Sequence, residues 1–198
     1  HGLGKTPRWI ITKSRSNDTN DGFSVLHGST GTNFYDLSKQ NAGNSNTVVW
    51  NAVPTSTVFS VGTATGTNNN GYTYLAYCWA EIEGFSKFGS YQGNSDDAFV
   101  YTAFKPALVI IKSSSNASTD WVMYDNLRHP FNSGTSSNTL YANQNYTEGS
   151  AGGLDFLSNG FKLLSTNGFN NNSSRTYIYM AFAEHPFVGD GTSPVTAR

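Results

Sequence analysis

Four histidines, His1, His27, His129 and His185, are the first residues in this chain able to do acid–base or metal chemistry. None falls in an H-E-x-x-H pattern and none has a cysteine partner at ligand spacing, so the spacing supports no zinc site. His129 and His185 each precede a proline, which places them in turns. "GNSDD" at 93–97 offers Asp96 and Asp97, but it lacks the spaced oxygens and closing Glu of a calcium loop. Asp120, Asp125 and Asp155 are candidates for the two facing carboxylates of a glycosidase, yet nothing in their spacing pairs them. No G-x-S-x-G elbow occurs. The single cysteine, Cys78, forms no internal disulfide and lies in an aromatic run, where it reads as a small buried residue. The expectation is a non-enzyme with no metal and no cofactor.

Binding chemistry is better represented. Trp50, Tyr91, Trp121, Tyr124 and Tyr146 lie near strand ends, where aromatic rings could make a platform for sugars. The competing expectation is cross-strand packing, because aromatic side chains suit half-buried pleated surfaces. Tyr91 and Tyr146 are flanked by polar loop residues and are the least core-like. Asn68, Asn69 and Asn70, and again Asn171 and Asn172, sit in Asn/Gly/Ser/Thr-rich loops that could make polar contacts. The candidate contact loops are residues 28–33, 63–71, 133–138 and 167–174, against the ordinary alternative of solvated turns. N-x-S/T sequons at Asn17, Asn116, Asn145, Asn171 and Asn172 are what an Asn/Ser/Thr-rich chain produces by chance.

The elements that must position these residues are short. Runs such as "RWIITK", "FSVLH", "VVWNAV", "TVFSV", "YTYLAYCWAE", "FSKFGSY", "AFVYTAF", "ALVIIK", "DWVMYD", "NTLYAN", "GFKLLS" and "RTYIYMAFAE" are separated by Gly/Asn/Ser clusters. Hardly any stretch carries a capped helical period. Strands at this spacing predict an all-β fold, an antiparallel β-sandwich of lectin or jelly-roll type. Charged residues are 13% of the 198 residues, aromatics 14%, and the net charge is −1. Such a surface is hydrated by neutral polar groups, as in extracellular and virion proteins. There is no basic patch for nucleic acid and no apolar run long enough to span a membrane.

The chain also repeats itself. "PRWIITKS" at 7–14 matches "PALVIIKS" at 106–113, and "FSVLH" lines up with "WVMYD". "VFSVG" lines up with "FKLLS", "TNNNG" with "FNNNS", and "TYLAYCWAE" with "TYIYMAFAE". All keep one order at offsets between 98 and 103. An internal duplication divides the chain into a first β repeat at 1–83 and a second at 84–198, packed closely because no Pro/Gly/Ser-rich linker separates them. The twinned strands are apolar on both faces and are expected to be central, covered on both sides. Lys13 is expected to pair with Glu81, and Lys112 with Glu184. The two strands of "GFSKFGSYQGNSDDAFVYTAF" have no counterpart in the first copy, which predicts either a longer polypeptide upstream of His1 or an exposed edge that something must cover.

"HGLGKTPRWIITKSRS", "GYTYLAYCWAEIEGFSKFGSYQGN", "FKPALVIIKSSS", "DFLSNGFKLLSTN" and "TYIYMAFAEHPF" with the terminal "PVTAR" resemble a family of uncharacterised repeat domains. These lie in the C-terminal part of virion and tail-fibre-like proteins of tailed phages, mostly marine ones. The likeness covers essentially the whole chain, and its most specific marks are "F-x-S-N-G-F" and "A-F-A-E-x-P-F". It implies a virion structural role on a tail fibre or capsid surface, with other virion proteins and a homo-oligomer, a trimer first, as partners. A host-surface glycan or protein is the implied attachment target. It supplies no catalytic residues. The alternatives are a purely structural capsid or tail module and a bacterial secreted carbohydrate-binding module.

Overall fold

A computed structural model describes residues 1–16, 22–132, 134, 136–150 and 152–186. Asn17, Ser133, Thr135 and the terminal "PVTAR" lie outside the described residues. The first half runs β1 (Pro7–Ser14), β2 (Ser24–His27), β3 (Asn33–Asp36), β4 (Asn44–Ser45), β5 (Trp50–Ala52), β6 (Ser60–Val61), a single turn α1 (Thr65–Asn68) and β7 (Tyr74–Ala80). The second runs β8 (Ser86–Gln92), β9 (Ala98–Tyr101), β10 (Pro106–Ser113), β11 (Val122–Asp125), β12 (Asn138–Tyr141), β13 (Gly149–Ser150), β14 (Leu154–Leu157), β15 (Gly160–Leu163) and β16 (Thr176–Ala183).

The duplication is visible strand by strand. One sheet has the order β4-β3-β2-β1-β7, and the other β13-β12-β11-β10-β16-β8. β1 pairs with β7 from Pro7↔Ala80 to Ser14↔Tyr74, with a bulge between Pro7 and Trp9. β10 pairs with β16 from Pro106↔Ala183 to Ser113↔Tyr177, with the bulge in the same place. A proline has no N–H for the ladder, so it opens both strands beside the irregularity.

Three cores stack these sheets into layers. The inner faces of the two main sheets meet through Trp9, Val25 and Tyr35 from the first and Trp121, Phe88, Ile178 and Met180 from the second. The outer face of the second sheet packs Val109, Ile111, Tyr124, Tyr177 and Tyr179 against Phe161, Leu163 and Val100 of a small sheet, β14-β15-β9. The outer face of the first packs Ile10 and Leu26 against the β5-β6 hairpin through Trp50 and Val49. The result is an all-β assembly of antiparallel sheets with the two copies packed together. Each main sheet is apolar on both faces because each has a layer on both sides.

The small hairpins correct one alignment. Trp50↔Val61 corresponds to Leu154↔Leu163, so Val61 matches Leu163 and Phe59 matches Phe161. "VFSVG" and "FKLLS" are therefore out by one residue, which in a strand exchanges the faces. The cause is the connection: residues 53–59 join β5 to β6, whereas Ser158 and Asn159 alone join β14 to β15.

Candidate interaction surface

The expected aromatic platform is not assembled. Trp50 and Trp121 are fully buried. The Trp50 indole N–H donates to the Val25 carbonyl at 3.2 Å, and that of Trp121 to the Asp36 carbonyl at 3.0 Å. Trp121 also meets Trp9 edge-on at 5.7 Å, in the seam between the halves. Tyr124 is buried and accepts a hydrogen bond from Asn170 Nδ2 at 3.0 Å. Tyr91 stacks on Tyr177 at 5.2 Å, and its hydroxyl donates to the Asn170 carbonyl at 2.6 Å. Burial raises its phenol well above the usual tyrosine range. Alternation along these strands turned their rings toward neighbouring layers. Tyr146 alone of the set stands out, 59% exposed and edge-on to Tyr141 at 5.7 Å.

Asn68, Asn69, Asn171 and Asn172 take part in bracing their own loops. In the second copy Asn171 is buried; its Nδ2 donates to the Ser165 and Asp96 carbonyls, and its Oδ1 accepts from the Asn94 N–H at 3.1 Å. The Tyr177 hydroxyl roofs this loop, accepting from the Asn172 N–H at 2.9 Å and donating to the Gly168 carbonyl at 3.0 Å. The first copy repeats the design. Asn68 Nδ2 donates to the Gly62 carbonyl at 3.1 Å, and the Tyr74 hydroxyl accepts from Asn69 N–H and donates to the Thr65 carbonyl. In both copies a tyrosine follows by five residues the asparagine whose N–H it takes, Tyr74 after Asn69 and Tyr177 after Asn172, and that spacing is the sequence signal for this brace. Asn70 is exposed beside it. The candidate loops do not form one patch: within the first half, residues 28–33 follow the β2 end paired with Trp9, whereas α1 lies by the Ser14 end.

The expected ion pairs are also replaced. Antiparallel pairing sets Lys13 opposite Leu75 and Lys112 opposite Ile178, at the far end from the glutamates. Glu81 instead meets Lys87 at 2.7 Å, and Glu184 meets Lys105 at 2.8 Å. Lys13 lies over the Phe23 ring at 5.4 Å. Lys112 is buried, donating to Thr119 Oγ1 at 2.8 Å; burial lowers its pKa to about 8, against the pull of Asp120. The Asp120 carboxylate accepts from Gln40, Asn143 and Gln144 side chains, which together hold its pKa down although burial opposes them. His27 lies in the seam between the halves. Its Nδ1 accepts from the Ser29 N–H, so its Nε2–H donates to the Tyr179 carbonyl at 3.1 Å, and burial lowers its pKa to about 4. Asp97 pairs with Lys162 and Asp125 with Arg128. Among the described residues no three acidic, His or Cys side chains gather as a metal set.

What the surface does present is an open sheet edge. β7 has β1 on one side and, among the described residues, no strand on the other. Leu75 is 42% and Tyr77 50% exposed, while their twins Ile178 and Met180 are buried under β8. This corrects the expectation that both twinned strands are central. Beside the edge lies a groove of about 410 Å³ lined by His1, Phe59, Ala76, Tyr77, Cys78 and Trp79. A second groove, about 490 Å³, lies by Lys105, Asn126, His129 and Glu184, with Leu127 and Phe131 projecting at its rim.

No curated protein and no solved structure matches the chain. A family model does, and its match runs through both copies. With residues 1–186 matched, the chain belongs to the family described as a domain of unknown function (DUF7483).

Proposed function

We propose that this chain is a structural module of a phage particle, a fibre, spike or decoration domain that joins neighbouring polypeptide and displays polar loops for attachment to a host surface. The observation that carries the assembly role is the open β7 edge. An uncharged strand with exposed Leu75 and Tyr77 is a joint in a larger object, because natural outer edges are blunted. The weakly charged, Asn/Ser/Thr-rich surface and the resemblance of its strand motifs to phage virion repeats support the setting. Attachment would draw on many weak contacts multiplied by copy number, a homotrimer being the first arrangement to test.

The test is immunogold electron microscopy with antibodies to this chain, on particles from a lysate in which it is expressed. Label on fibres, spikes or the capsid surface is expected. Particles free of label while the chain stays in the soluble fraction would overturn the assignment. Tyr146, exposed and backed by Tyr141, favours a second reading, a glycan-binding module with one stacking ring. A glycan array with wild type and Tyr146→Ala separates them, since a single-ring site loses its signal in the variant.

A further inference from the structure

We propose that β7 is an acceptor edge, completed by an antiparallel strand from outside residues 1–198 that carries the alternating polar and aromatic chemistry of β8. The proposal deepens the assembly role above by specifying its joint. The second half shows what covers such a strand: β8 pairs with β16 from Phe182↔Ser86 to Thr176↔Gln92. The backbone of β7 offers the same ladder. The Thr73 carbonyl bonds inward to Arg15 N–H, as the Thr176 carbonyl does to Ser114 N–H. Alternate residues therefore turn their backbone groups outward, namely Tyr74, Ala76 and Cys78, matching Tyr177, Tyr179 and Ala181.

The two outer edges differ in their protection. β8 carries Lys87, whose charge discourages further pairing; β7 carries no charge from Tyr74 to Ala80. Receptors for the rest of the partner are in place too. In the second half the turn after β8 is held by Asn171, which takes Asn94 N–H on its side chain and Ser95 N–H on its carbonyl. Its twin is Asn68, braced in the same way. Tyr91 of β8 docks on the Asn170 carbonyl, whose twin is that of Thr67. β9 then pairs with β15, whereas among the described residues β6 has no third strand, and the groove at Phe59 and Trp79 lies beside it.

One position sets specificity. A Cβ on Gly89 would lie 2.6 Å from the Tyr179 hydroxyl, so β16 demands glycine there. β7 has Ala76 in place of Tyr179, so its partner strand has room for a side chain at that point.

The probe is a synthetic peptide of residues 84–97, given to the full chain in trans and, in a second arm, tethered ahead of His1 by a flexible Gly/Ser linker that raises its local concentration to about millimolar. Cys78, the only thiol, reports by its alkylation rate, and hydrogen exchange reads the Tyr74, Ala76 and Cys78 amides. Tethering is expected to slow both by about tenfold or more. A Gly89→Ala version is expected to protect equally, and a scrambled version not at all. Unchanged rates in the tethered arm overturn the proposal. So does protection without peptide that grows with protein concentration alongside a dimeric mass, since the occupant is then a second copy. Immunogold failure leaves this result standing, and the reverse holds as well.

Discussion

β7 and β16 carry matching apolar patterns, pair with matching partner strands and share a bulge at the same step. Yet Met180 is buried and its twin Tyr77 is half exposed. The difference lies in what arrives next to each strand. β8 closes the side of β16 and inserts Phe88 between the main sheets; nothing among the described residues does this for β7. A strand's pattern states which environments it tolerates, and its neighbours decide which one it receives.

A charge at the twinned position should separate the two strands most strongly. Met180→Lys buries an unpaired ammonium between the sheets and should cost about 3–5 kcal/mol, enough to unfold much of the population. Tyr77→Lys should stay within about 0.5 kcal/mol of wild type. Guanidinium midpoints read both, and equal losses would mean β7 is covered in solution. In the outer layers, Phe161→Ala should cost about 3–5 kcal/mol and Phe59→Ala roughly half of that, since Phe59 is only half buried and, among the described residues, has no counterpart of β9 beside it.

At the seam the two halves should respond differently to acid. Trp9↔His27 corresponds to Leu108↔Asp125, so His27 is the first half's own residue at that point. Burial keeps its imidazole neutral down to about pH 4, while the unfolded chain takes up that proton near the ordinary 6.5. The unfolded state therefore binds more protons between those values. Stability present above about pH 6.5 is lost as pH falls toward 4, by about 3 kcal/mol, and levels off below. Urea midpoints across that window should slope for wild type and flatten for His27→Gln. The smallest difference between the two copies is at the loop roofs. Tyr177→Phe should cost about 1–2 kcal/mol, and Tyr74→Phe, on the more exposed copy, about 0.5–1 kcal/mol.

Long β-branched and aromatic runs made β1, β7, β10 and β16 plain in the sequence, and their order exposed the duplication. β3 and β4, "NFYD" and "NS", were not legible, because short polar strands look like the loops around them. The expected Lys–Glu pairs failed on direction. Sequence places the four residues at strand ends, but only the antiparallel register tells which ends meet. Trp50 and Trp121 failed on layer count: alternation assigns a face, and whether that face meets water depends on a sheet encoded elsewhere. The asparagine loops misled because a buried brace and a solvated turn draw on the same residues, and only the repeated tyrosine roof distinguishes them.

The charge of Lys87 in β8 acquires a further meaning beside the open edge of β7. A molecule with two adhesive edges would add copies of itself without limit, as cross-β fibres do. With one edge blunted and one receptive, pairing through sheet edges takes up one partner strand and does not propagate. Once that bond is made, the outermost strand is the partner's, and the partner determines whether the assembly ends there.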